Sequence, residues 1–164
     1  LGKEIDDLEN EKADIEAAGM EVLSSHVGHN LNNEELKSGN FDEALKWWAQ
    51  CIDTHKRAGM KYIVNPGVNF PNTLAEADVI CKYLNKVGEM VNAAGMKFGY
   101  HNHSYEFNKV EGQVWYDYMI KHTDADKVFY EMDVYWAVRG HVSPVEYFKK
   151  YPFDADDIPP TKAN

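Results

Sequence analysis

Apolar positions along this chain fall into two alternating patterns. Phe41, Leu45, Trp48 and Ile52 lie on one helical stripe, and so do Ile80, Leu84, Val87 and Val91. Short apolar runs without helical spacing stand between these stripes: Glu21-Val-Leu-Ser-Ser-His26, Lys61-Tyr-Ile-Val-Asn65, Lys97-Phe-Gly-Tyr-His101 and Val128-Phe-Tyr-Glu-Met-Asp133. Each is short enough for a strand and too short for a helix of its own. Residues 3–18 and about 113–122 read as further helices. Three helix starts carry capping-box pairs, Asn40 with Glu43, Thr73 with Glu76 and Ser143 with Glu146, and Pro144 suits the first helical position.

A repeat supports this division. Ala17-Ala-Gly-Met20, Arg57-Ala-Gly-Met60 and Ala93-Ala-Gly-Met96 each close a helical pattern with glycine and lead into a strand. Their spacing of roughly 35 to 40 residues is that of one helix-plus-strand unit. The order α-β-α-β-α-β-α-β-α predicts an α/β fold with a parallel sheet and helices outside it. Such folds place their sites at the C-terminal ends of the strands. Here those ends are Ser24-Ser-His-Val27, Asn65-Pro-Gly67, His101-Asn-His103 and Asp133-Val-Tyr-Trp136, all polar or aromatic.

Two of these ends carry the candidate chemistry. Read as strands, His101 and His103 share one face of theirs, and Glu131 and Asp133 share one face of theirs. Imidazoles and carboxylates on neighbouring strand ends make a divalent-metal or acid/base site. His26 and Asn65 are candidate substrate contacts, as are Tyr135 and Trp136, whose rings could line a pocket. His55 and His122 sit near helix C-termini and read as structural, and Trp47 and Trp48 read as helix core.

Composition narrows the partners. The chain of 164 residues has a net charge of −10, from 17 Lys+Arg against 27 Asp+Glu. That argues against nucleic acid and against an anionic membrane, both of which call for clustered cations. No apolar run approaches the roughly 20 residues of a membrane span. Cys51 and Cys81 make no metal spacing and read as free thiols.

Gly99-Tyr-His-Asn-His-Ser-Tyr-Glu-Phe107, Met132-Asp-Val-Tyr-Trp-Ala137 and Pro144-Val-Glu-Tyr-Phe-Lys-Lys-Tyr-Pro152 together resemble the sugar phosphate isomerase/epimerase family of xylose-isomerase-like TIM barrels. The Ser24-Ser-His26 end and the Trp47-Trp48 helix fit the same group. The resemblance implies a TIM (β/α)8 barrel, of which residues 1–152 supply about four central units, with 153–164 an irregular segment. A whole barrel needs about 250 residues, so the chain is expected to be part of a longer protein. The resemblance also implies a divalent metal, Mn2+ first, with Mg2+, Co2+ or Zn2+ as alternatives. Its ligands in many members are Glu, Asp, His and Glu on the fifth to eighth strands. Lys97–His103 matches the fifth strand and Val128–Val134 the sixth, so Asp133 falls on the Asp ligand. The fifth-strand ligand is left among His101, His103 and Glu106, and the metal set within this chain is Asp133, His103 and Glu106. The other two ligands fall outside this chain.

The implied reaction on a small sugar or sugar phosphate is isomerisation or epimerisation through an enediolate. Glu131 and His101 are the catalytic groups. The alternatives are a keto-sugar or keto-glycoside dehydratase of the same fold, a non-catalytic carbohydrate-binding barrel and, against the charge, an abasic-site endonuclease. Homo-oligomerisation is left open. A cytoplasmic location is favoured, with a periplasmic or secreted one open because the natural start is expected to lie before Leu1.

Overall fold

A computed structural model describes residue 10 and residues 12–152 of the chain. The expected segment 153–164 and most of the first half of the helix expected over 3–18 lie outside the described residues, and 12–17 are helical. After them come β1 (Ser24–His26), α1 (Asn33–Ser38), α2 (Asp42–Arg57), β2 (Tyr62–Asn65), α3 (Leu74–Ala93) and β3 (Lys97–His101). A 3-10 turn (Tyr105–Phe107), β4 (Lys109–Val110), β5 (Gln113–Val114), α4 (Trp115–His122), β6 (Phe129–Glu131), α5 (Val134–Arg139) and α6 (Pro144–Lys150) complete the order.

β1, β2, β3 and β6 form one parallel sheet in that spatial order. This is the expected α/β architecture. The repeat is structural too: Gly19, Gly59 and Gly95 all have φ between 76° and 88°, the left-handed turn that ends a helix.

The two faces of the sheet differ. On the helix side, Ile63, Phe98 and Tyr100 are buried. Phe98 meets Trp48 of α2 edge to face, at 5.6 Å between centroids. Ile80, Leu84, Val87 and Val91 of α3 are buried as their stripe predicts. Burial of each such side chain contributes about 1.5–3 kcal/mol. Trp48 Nε1 donates to Tyr83 Oη, which donates to the carbonyl of His29, tying α2 and α3 to the loop after β1. The opposite face holds Val64, Gly99 and Phe129 in register with His26. A Cβ on Gly99 would stand 2.4 Å from two atoms of the Phe129 ring, so that ring lies directly on the bare β3 backbone.

Local stops differ from the expected boxes in an instructive way. Asn40 Oδ1 accepts from Asp42 N, and Phe41 takes the cap position of α2 without a side-chain bond. Thr73 accepts from Glu76 N, but Glu76 turns to Asn72 instead of closing the box. The reciprocal box is at Asn32 and Glu35, heading α1. The expected helix over 113–122 starts only at Trp115, because Lys109–Val110 and Gln113–Val114 pair as a hairpin. Its turn residues Glu111 and Gly112 both have positive φ, and the Glu111 carboxylate accepts from Leu74 N at the head of α3. Cys51 and Cys81 are free thiols. Among the described residues no helix is long and apolar enough to cross a membrane.

Candidate active site

Three side chains meet at the C-terminal ends of β1, β3 and β6, on the sheet face that bears no helices. His26 Nε2 lies 3.2 Å and His101 Nδ1 2.9 Å from the same oxygen, Glu131 Oε1. The two imidazole centroids are 4.7 Å apart. One donor atom from each of the three falls within 4.8 Å of the others, close enough to share an ion. The register explains the meeting: His101 and Glu131 are direct neighbours across β3 and β6, just beyond the Gly99 and Phe129 pair. The Glu131 side chain is 46% exposed, so the cluster opens to solvent.

Asp133 stands beside this group without sharing its strand. β6 ends at Glu131, and Asp133 caps α5, its Oδ1 accepting from Trp136 N. Its other oxygen is 3.6 Å from His101 Nε2, an ion-pair distance. His101 thus reaches both Glu131 and Asp133, although β6 ends at Glu131. Asn102 is fully buried between the two chain turns. Its Oδ1 accepts from Asp133 N (2.9 Å), and its Nδ2 donates to the carbonyls of His103 (3.1 Å) and Asp133 (3.3 Å). Asn102 was not among the expected site residues, although it sits inside the His-Asn-His motif.

Glu106 is 0% exposed and does not join the His26, His101 and Glu131 group. Its carboxylate accepts from Tyr100 Oη (2.8 Å) and from His103 N (2.9 Å), so it braces the loop. Burial, then the Glu106 charge, pushes the Tyr100 hydroxyl well above its ordinary value and that of Tyr105 up to about 12. His103 projects beyond the strand. Its ring centroid lies 5.3 Å from that of His101, 5.1 Å from Trp136 and 6.2 Å, stacked, from Tyr105.

A cleft of about 530 Å3 opens next to the cluster, lined among others by Gly28, Gly67, His103, Tyr105 and Trp136. Trp136 is the expected aromatic wall. Tyr135, its neighbour, is 62% exposed and lines nothing there. Asn65 is fully buried behind the cleft, its Oδ1 accepting from Gly67 N. Tyr105, whose hydroxyl donates to the Val68 carbonyl, is a wall residue that sequence reasoning did not single out. His55 and His122 each face a carbonyl one helical turn earlier, as structural histidines do.

Comparison with known proteins follows this geometry. Residues 3–158 match the family described as xylose isomerase-like TIM barrel. Two solved structures titled sugar phosphate isomerase/epimerase, both from Parabacteroides distasonis ATCC 8503, are each 33% identical and cover 88% of this chain, with TM-scores of 0.78 and 0.79. The match covers 53% and 58% of those chains, so this chain spans little more than half their length. None of the curated proteins matches. With its parallel sheet, its alternating helices and a match over nearly all its length, the chain belongs to the xylose isomerase-like TIM barrel family.

Proposed function

We propose that this chain carries part of the catalytic centre of a sugar or sugar phosphate isomerase/epimerase that moves a proton next to a carbonyl. The observation that carries this reading is the meeting of His26, His101 and Glu131 at three parallel strand ends, beside Asp133. The naming of two similar structures as sugar phosphate isomerase/epimerase agrees with that reaction class.

The donor set fits a divalent metal. Two imidazoles and a carboxylate suit Mn2+, Co2+ or Zn2+ better than Mg2+, which prefers oxygen ligands. His26, His101 and Glu131 would hold the ion, with Asp133 next to His101. A cation there supplies Lewis-acid polarisation of the sugar's carbonyl and adjacent hydroxyl. The chain's own groups do the rest. Glu131 Oε1 is held between two imidazoles, and its second oxygen takes the proton from the carbon next to the carbonyl. Returning the proton to the neighbouring carbon gives isomerisation, and returning it to the opposite face gives epimerisation. The Asp133 carboxylate steadies His101 from its other nitrogen. Trp136, on the turn that Asp133 caps, forms a wall of the adjoining cleft.

Candidate sugars incubated with the protein in deuterated buffer should exchange hydrogen at the carbon next to the carbonyl. Glu131→Gln should slow that exchange by about 100-fold or more. Calorimetric titration with Mn2+ gives a second readout, and His101→Ala should weaken binding by about tenfold or more. Unchanged Mn2+ affinity in a His101→Ala, Glu131→Gln double variant would sink the assignment of the site.

A further inference from the structure

We infer that the cleft has a movable wall: the loop between β2 and α3, residues 66–73, is a flap hinged at Gly67, and Glu111 on the facing hairpin is the strap that holds it closed. Neither the flap nor its strap depends on a metal at the His26, His101 and Glu131 cluster, or on the identity of whatever the cleft takes.

Glu111 occupies a place that its backbone disfavours. Val110 pairs with Gln113, so Glu111 and Gly112 alone make the turn between β4 and β5. Their φ angles are 46° and 89°. A two-residue turn of this hand favours Asn, Asp or Gly at its first position, because other L side chains are strained in left-handed backbone. What the glutamate adds is reach. Its Oε2 accepts from the Leu74 amide at 2.7 Å, between residues 37 apart in the chain. That amide is the first of the 20-residue α3 and has no acceptor within the helix. A carboxylate there also meets the positive end of the helix dipole. Asparagine would serve the turn better but is one methylene shorter, and would fall about 1.5 Å short of the amide.

The bond joins two walls of the cleft. Pro66, Gly67 and Val68 of the flap line it, and so do His103, Ser104 and Tyr105 of the loop that leads to the hairpin. Tyr105 Oη donates to the Val68 carbonyl at 3.0 Å. The flap is therefore pinned to that loop near its hinge and, through Glu111, at its far end. Asn69 Nδ2 donates to the Leu31 carbonyl at 3.0 Å and is a third pin. Glu76 also bonds Asn72, but it belongs to α3 and reaches no other wall. Little apolar packing holds the loop between its pins. Val68 and Pro71 are buried, whereas Asn69, Phe70, Asn72 and Thr73 are exposed. Gly67 supplies the hinge: its φ is 147°, and a Cβ there would stand 2.6 Å from Tyr105 Oη. A segment with few buried contacts, held by exposed hydrogen bonds, opens locally at a lower free energy than the whole fold.

The test is native-state hydrogen exchange, followed amide by amide by NMR in the 164-residue chain. Glu111→Asn should speed exchange at Gly67, whose amide donates to Asn65 Oδ1, by about threefold or more. The β4 and β5 amides should exchange no faster, because the turn itself improves. Leu74→Pro removes the same bond from the other side. Proline suits the first position of a helix, and Thr73 before it already has extended φ and ψ of −138° and 161°. This variant should reproduce the effect at Gly67, and the double variant should add nothing to either. Glu111→Gln keeps an acceptor oxygen at the same reach and should restore most of the protection. Faster exchange confined to residues 74–76 would make Glu111 a cap of α3 and nothing more, and overturns the inference. An unchanged Gly67 amide in both single variants overturns it too, as does a double variant faster at Gly67 than either single one. Equal acceleration at Gly67 and at the core amides of Ile63 and Phe98 also overturns it, since that is loss of global stability and not a flap.

Discussion

Asn102 joins the two strand ends that carry the site, and removing its side chain should be costly. It is fully buried and makes three hydrogen bonds to backbone, at 2.9, 3.1 and 3.3 Å. In Asn102→Ala the amide of Asp133 loses its only named acceptor, which costs about 1–3 kcal/mol, and the two longer bonds add about 0.5–1 kcal/mol between them. The expected loss is about 1.5–4 kcal/mol. With a urea dependence near 2 kcal/mol/M for a chain of this size, the unfolding midpoint should fall by about 0.8–2 M. Asn102→Asp keeps the acceptor for Asp133 N but sets carboxylate oxygens against two carbonyls, beside Glu131 and Asp133. It should therefore be no more stable than Asn102→Ala. Urea titration followed by far-ultraviolet circular dichroism measures both. A midpoint shift below about 0.3 M for both variants, or Asn102→Asp clearly above Asn102→Ala, would refute the bridging role.

Gly99→Ala should cost about 1–3 kcal/mol by overpacking the Phe129 ring, and Phe129→Leu in the same chain should recover part of it; additive losses would show that the two do not touch. Burial pushes the thiols of Cys51 and Cys81 up to about 11 and about 12, and the hydroxyls of Tyr105 and Tyr147 up to about 12. Unfolded thiols and phenols titrate near 8.5 and 10, so the folded state holds these protons more tightly. The stability this contributes is whole below about pH 8.5 and is lost as pH rises through about 11 to 12. Absorbance from the Tyr105 and Tyr147 phenolates, read as the part lost in Tyr105→Phe and Tyr147→Phe variants, should then rise together with loss of circular dichroism, and ionisation of these two near pH 10 in a folded chain would contradict it. Cys51 and Cys81 should react with Ellman's reagent at neutral pH only after denaturant is added; full labelling of the native protein would show that the α2 and α3 faces open readily.

The long helices, the four sheet strands and their parallel sense were legible because each obeys a period: the 80–91 stripe, the Ala-Gly-Met ends, the short apolar runs; the short helices Asn33–Ser38 and Val134–Arg139 were not, being too short to show one. What was missed has non-local causes. Asn40 and Glu43 have capping-box spacing, but the chain enters α2 at Phe41, and the true box lay in a polar stretch with no apolar stripe to draw notice. Likewise His101 and Glu131 were legible as chemistry, while their common contact with His26 depends on β1 lying two strands away across β2. Glu106 read as a candidate ligand because the resemblance calls for a fifth-strand Glu and it is the carboxylate nearest that strand's end. In the fold a 3-10 turn swings it under Tyr100, where two hydrogen bonds use it.

The alternation along the sheet has an evolutionary consequence. At each site-bearing strand end the neighbouring residue serves the other face: Ser25 bonds His55 of α2 while His26 joins the cluster, and Tyr100 is core while His101 is chemistry. Tyr130 likewise bonds Thr123 while Glu131 faces the site. Adjacent codons are thus expected to answer to different demands. On the proposed function, a lineage could trade one reaction for another through His26, His101 and Glu131 while the residues beside them keep the scaffold stable enough to survive the change.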